Sequence, residues 1–498
     1  MRRTLWIVLL LGALGGALYL TMRPDEPIED ELSLDDDEDP SLDLPRELTA
    51  LLVGAVAAPE DAQVQIEQDL ELARRTFGGP TLTLFGGGPR IAFVQERAEL
   101  PSGAKIRYAL AELFSAHSLA HDYRRPAHPL DGPATLASLD LAFMAAREAE
   151  RPLPLLYVAG HGEGGESAPE ASIALWGGDP FTPRDLARWL SDPREAGPVR
   201  VVITTCYSGA FAEIIFDEAD ESLGLARDVH CGLFATTAED EASGCDPEPE
   251  RARQEGFGIH FLHALRGLDR DGHALPRADL DGDGAVSLLE AHAHARVLGS
   301  SIDVPTLTSE RFLRYAVSPE AASEMGVAPA DDPVERYVVE RLGEAFDLHT
   351  KRAAEAALEE RLRLFEEQTL ELADATSRTD EAFFRLRVKL LEIVPFADDP
   401  WHPRWEREIE HHAEALLAVL EGSREAEALE VTLAIEETIE RGLLRARAEI
   451  ARLRRLVRAH ENLELLGALE ALGGDALARY RAIRRCEDFA PPLAEGAK

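Results

Sequence analysis

Two short stretches hold the residue types that nucleophilic catalysis needs. In "VRVVITTCYSGAFAE" (199–213) a run of β-branched residues ends at Cys206 and is followed by the turn pair Ser208-Gly209. In "LLYVAGHGEGG" (155–165) an apolar run ends at His161 and is followed by Gly162. A free thiol, with a pKa of about 8.5, is only weakly ionised at neutral pH, so a cysteine nucleophile works best beside an imidazole. The backbone N–H of Gly162 is a candidate to hold an oxyanion, since glycine lets a substrate come close to the chain. Taken alone, Cys206 reads more readily as a small hydrophobe closing a strand than as a nucleophile. The pair carries more weight than either motif.

The elements between them decide whether the two residues meet. "FTPRDLARWL" (181–190) reads as a helix with Thr182 as N-cap and Pro183 at its first position. A right-handed crossover through that helix makes the flanking strands parallel neighbours, with His161 and Cys206 at one carboxyl edge. Further strand patterns lie at "TLTLFG" (81–86), "RIAFVQ" (90–95) and "CGLFATTA" (231–238). Helical patterns occupy 60–77, 105–117, 135–150 and "FGIHFLHALRGL" (257–268). The alternation predicts an α/β fold, a mostly parallel sheet sandwiched by helices.

Strand-"HG", then strand-"C-x-S-G", then strand-"ATTA" resembles the legumain-like cysteine peptidases of the caspase/haemoglobinase fold, over roughly residues 80–270. The resemblance implies a caspase-like sheet and a Cys206–His161 dyad, with Gly162 and Cys206 amides as the oxyanion hole. It also implies a specificity pocket lined by "LFATTAEDEASGCD", with Thr236, Thr237, Glu239, Asp240, Glu241 and Ser243 as substrate-binding residues. Two positions depart from the family: its Asp before the histidine is Gly160, and its Glu two residues before the cysteine is Thr204. The acids Glu239, Asp240 and Glu241 are suited to select a basic side chain, or else form a solvated loop. No cofactor for catalysis is implied.

A second motif stands apart from the first. "DLDGDGAVSLLE" (279–290) places Asp279, Asp281 and Asp283 at positions 1, 3 and 5 of a calcium loop. Ala285 follows with its carbonyl at 7, Ser287 at 9 and Glu290 at 12. Pro276 just ahead of the loop argues against an incoming helix. The expectation is a structural Ca2+ site with only an exit helix.

The 498 residues carry 52 Lys+Arg against 92 Asp+Glu, a net charge of −40, which excludes a general nucleic-acid binder. An uncharged apolar run from Thr4 to Met22 follows Arg2 and Arg3 and reads as an N-terminal membrane anchor (1–23), a signal peptide being the alternative. The arginine bias predicts a single-pass inner-membrane protein with its catalytic domain on the exported side. Residues 24–46 form an acidic tether, 47–317 the peptidase domain with the calcium loop, 318–333 a linker and 334–498 a helical domain. The tail reads as a bundle or coiled coil that binds a protein partner or itself. Legumain's own helical tail, which covers its active site until removed, offers the alternative of an inhibitory cap. Cys231 and Cys245 are placed either to form a loop disulfide or to remain thiols, and Cys486 has no evident partner.

The leading expectation is therefore a cysteine endopeptidase acting on a protein or peptide. Its rival is a silent caspase-fold scaffold whose tail recruits partners.

Overall fold

The computed structural model describes residues 48–97, 105–114, 121–148, 153–191, 198–269, 272–275, 278–399 and 402–494. The strands are β1 (Ala50–Ala55), β2 (Thr81–Phe85), β3 (Val94–Arg97), β4 (His121–Arg124), β5 (Leu155–Gly160) and β6 (Gly162–Glu163). They continue with β7 (Ser172–Ala174), β8 (Pro180–Phe181), β9 (Arg200–Ile203), β10 (Cys231–Phe234) and β11 (Thr306–Leu307). The helices begin with α1 (Val64–Thr76), α2 (Lys105–Phe114), α3 (Leu136–Glu148), α4 (Pro183–Leu190) and α5 (Phe257–Arg266). Then come α6 (Leu288–Leu298), α7 (Thr308–Ala316), α8 (Pro319–Met325), α9 (Pro333–Phe346) and α10 (Lys351–Ile393). The last are α11 (Trp405–His411), α12 (Ala413–Gly422), α13 (Arg424–Leu472) and α14 (Gly474–Glu487).

The main sheet has the order β11-β10-β9-β5-β1-β2, parallel except for β11. Side chains alternate across it as the pleat requires. Leu52, Tyr157, Val202 and Leu233 face a core shared with α1, α5 and α6, while Leu51, Val158 and Ile203 face one shared with α3 and α4. Helices on both faces explain why β1 and β5 are apolar and buried along their whole length. The sequence reading passes over β1. "ALLVGA" has little β-branched signal, yet it is the strand between β5 and β2.

The chain forms two compact units. Among the described residues, the sheet unit takes those within 42–97, 123–362 and 446–498, and the helical unit those within 98–122 and 363–445. The division departs from a boundary at 318–333, because the end of α13 and all of α14 belong with the sheet. Their anchors are specific. Arg455 is almost wholly buried and donates to the carbonyls of Asp303 (2.7 Å), Gly299 (2.7 Å), Ser301 (3.0 Å) and Arg296 (3.2 Å). Glu487, fully buried, accepts from Ser309 N–H and Thr308 Oγ1 at the start of α7, 2.7 Å each. The stretch expected to be a linker holds α8, capped by Ser318.

The cysteines pair differently from either sequence alternative. Cys231 forms a disulfide with Cys486 on α14, and Cys245 and Cys206 are free. Proximity in sequence favoured Cys245, but β10 starts beneath α14, a contact between residues 255 positions apart.

The expected membrane anchor at Thr4–Met22 lies outside the described residues. Among those described, no helix is long and apolar enough to cross a membrane; the longest, α10 and α13, carry charges throughout. The single-pass inner-membrane localisation is therefore withdrawn.

In the helical unit, Leu386, Leu390, Trp405, Ile409 and Leu416 form a small core. Trp405 Nε1–H donates to the Ala397 carbonyl at 3.0 Å, and Thr376 Oγ1 donates to Glu436 at 2.6 Å between α10 and α13.

Candidate active site

β5 and β9 pair in parallel with Val158 opposite Ile203, so His161 and Cys206 leave adjacent strands at the same carboxyl edge. The backbones stay close beyond the last ladder bond. A Cβ added to Gly162 would lie 2.2 Å from the Cys206 carbonyl oxygen, so no larger residue fits there. Gly160 is constrained as well. Its φ is +140°, and a Cβ would meet the Ala55 carbonyl at 2.0 Å. The chain path thus leaves no room for a side chain at this first departure from the resembled pattern. Thr204, at the other departure, is buried and bonds the Val158 carbonyl through both N–H (2.8 Å) and Oγ1 (3.2 Å).

His161 is half-buried, and its Nε2 lies 2.9 Å from the Asp61 carbonyl oxygen and 2.7 Å from Gln63 Oε1. A carbonyl can only accept, so Nε2 carries the proton and Nδ1 is the basic nitrogen of the neutral ring. Asp61 and Gln63 come from the turn between β1 and α1. Sequence reasoning missed them, because their link to residue 161 is made only by folding. The Gly162 N–H points away from the β6–β7 ladder. The pair Gly162–Ile173 is flanked by an Ala174 N–H to His161 carbonyl bond of 3.2 Å, which leaves Gly162 at a non-hydrogen-bonded position.

Cys206 ends in a strained turn, with the next residue, Tyr207, in the left-handed region at φ 55°. Its sulfur, half-buried, accepts the Ala242 N–H at 3.2 Å and lies 3.5 Å from the Ala242 carbonyl. Burial pushes the thiol above its ordinary pKa, the Ala242 N–H opposes this, and the charges of Glu241 and Asp303 add to the rise. Ser208 Oγ accepts the Thr236 N–H at 3.3 Å, which docks the exit of β10 onto the turn after the cysteine.

The expected specificity residues follow directly. Thr236 and Thr237 are buried, with Thr237 Oγ1 donating to Asp240 at 2.5 Å. Ser243 is held through its N–H, 2.6 Å from Asp303, whose other oxygen accepts the Phe257 N–H at the start of α5 (2.7 Å). Asp240 is engaged by Arg454 at 2.7 Å and Glu241 by Arg447 at 3.0 Å, both from α13, while Glu239 is exposed. Two of the three acids are therefore committed to the fold, and the Arg454 contact holds the Asp240 carboxyl below its ordinary pKa against the effect of burial.

The calcium-loop residues divide. Carboxylate oxygens of Asp279, Asp281 and Asp283 gather within 4.8 Å of one another. Asp279 accepts from Gly282 N–H (2.7 Å) and Gly284 N–H (3.1 Å), and Asp283 from Ala285 N–H (2.8 Å), which wraps the loop around the triad. Ser287 caps α6 by accepting the Glu290 N–H at 3.2 Å. Glu290 is buried and takes N–H groups of Leu280, Asp281 and Ser287 at 2.5, 3.3 and 2.9 Å, so its carboxylate closes the loop rather than joining the triad. α5 stops at Arg266, well before the loop, which thus has an exit helix without an entering one directly ahead of it among the described residues. Three clustered carboxylates suit a hard divalent cation; the twelfth position would have to turn to complete the shell.

Compared with known proteins, the chain matches no protein-family model and no curated protein.

Proposed function

We propose that this chain is a cysteine endopeptidase of the legumain-like kind on a caspase-like sheet. The observation that carries the reading is the β5–β9 register, which sends a histidine with a fixed tautomer and a cysteine off adjacent strand ends. In this reading His161 Nδ1 takes the Cys206 proton, and the thiolate attacks the peptide carbonyl. The Gly162 and Cys206 N–H groups hold the oxyanion. The imidazolium, stabilised by the Asp61 carbonyl and Gln63, then protonates the leaving amine, and water releases the acyl group from sulfur. The acid triad Asp279, Asp281 and Asp283 would hold a structural Ca2+ bracing the start of α6, and a rise in Tm on adding Ca2+ to chelator-treated protein, lost in Asp281→Asn, is the expected outcome.

One observation favours the rival, a silent scaffold: burial and the charges of Glu241 and Asp303 raise the Cys206 thiol, against the Ala242 N–H that its sulfur accepts. Incubating the chain and its Cys206→Ala variant with a mixed peptide library separates the two. Cleavage by the parent alone supports the peptidase. Cleavage by neither, with Cys206 also inert to iodoacetamide, sinks it.

A further inference from the structure

Two free thiols sit at the same strand edge, and the proposed chemistry uses one. Cys245 Sγ lies 3.5 Å from the carbonyl oxygen of Gly160, the residue before His161. By the β5–β9 register Gly160 stands opposite Thr205, the residue before Cys206. The segment bearing Cys245 is already against the other thiol: Ala242 N–H bonds Cys206 Sγ, and a Cβ on Gly244 would lie 3.8 Å from the Thr204 carbonyl. Both cysteines are half-buried; burial raises both thiols, and the neighbouring Cys206 charge adds to the larger rise at Cys245. The remaining cysteines, 231 and 486, are tied to each other in the core beneath α14.

We propose that Cys245 is a resolving cysteine for Cys206, and that a peroxide joins the two as a reversible disulfide that silences the site. Cys206–SH reduces hydrogen peroxide, giving Cys206–SOH and one water. The Cys245 sulfur then attacks the Cys206 sulfur, and the hydroxyl leaves as the second water with the Cys245 proton. Two electrons and two protons pass from the thiols to the peroxide. The segment 242–245 is short and held at Ser243 by Asp303, and it contacts both the Cys206 sulfur and the end of β5, which places the two thiols on one strand edge. The consequence for turnover rests on Cys206 being the nucleophile; the bond itself does not, so its test reads masses.

The whole chain, treated with hydrogen peroxide and mapped without reduction, should yield a Cys206–Cys245 linked peptide. Iodoacetamide labelling of Cys206 should fall by about tenfold and return with dithiothreitol. In Cys245→Ser and Cys245→Ala the linked peptide must vanish, and Cys206 should advance to sulfinic acid, which dithiothreitol does not reverse. Circular dichroism of both variants checks that they are folded. Cys206 reaching sulfinic acid equally fast in the parent chain, with no linked peptide, would overturn the proposal, whether or not any peptide substrate is cleaved.

Discussion

The two units of this protein are stabilised in different ways. In the sheet unit the strands are apolar along their length, and buried charges such as Arg455, Glu487 and Asp303 satisfy backbone groups at helix and loop ends. In the helical unit, α10 and α13 bury a narrow stripe, while Leu370, Phe384 and Val431 stay 73%, 61% and 55% exposed. Its many ion pairs, such as Arg378–Asp374 and Arg385–Glu381, join solvent-facing residues one turn apart, where each is worth only a few tenths of a kcal/mol. Precision at the strand edge comes from the first kind of construction. Residues that hold Cys206 and His161 are fixed by contacts distant in sequence.

The sharpest test of that contrast removes the longest covalent link. Replacing Cys231 and Cys486 by serine should cost up to about 5 kcal/mol, read as a lowered denaturant midpoint, since the bond closes a very long loop in the unfolded chain. Arg455→Met should cost about 3 kcal/mol, because it strands several buried carbonyls while keeping an apolar stem. An unchanged midpoint would mean that the end of α13 is not part of the sheet unit.

Acid should act on the same unit. Burial lowers His230, His263 and His294 to about 4 each. The unfolded chain takes up these protons near pH 6.5 and the native chain does not, so stability present above that pH is lost as pH falls toward 4. A Tm flat between pH 6.5 and 4.5 would contradict this. On the proposed peptidase reading, Gln63→Ala should lower kcat about tenfold with KM little changed, because Gln63 orients the His161 ring. At the other extreme, Phe384→Ser in the helical unit should change stability by less than about 0.5 kcal/mol.

The legibility of the fold in sequence follows the same contrast. Local signals were sufficient for the strands ending at His161 and Cys206, and for α4, whose Thr182 cap is completed by Asp185. The periodicity of α13 also marked it as a helix. It did not say that the helix returns to the sheet, because Arg455 finds its carbonyls and Cys486 finds Cys231 only in the folded chain. β1 escaped for a related reason: a central strand covered on both faces needs no alternation. The same holds at the candidate site, where the acids Asp240 and Glu241 looked open in sequence and are engaged by α13.

The disulfide between Cys231 and Cys486 has a consequence for processing. The segment of the helical unit from residue 363 to 445 lies inside the loop it closes. A protease that nicks this segment produces two fragments that still migrate as one band on a non-reducing gel. Helix α14 therefore cannot be discarded by cutting there, and any maturation that sheds it must first break a sulfur–sulfur bond buried beneath it.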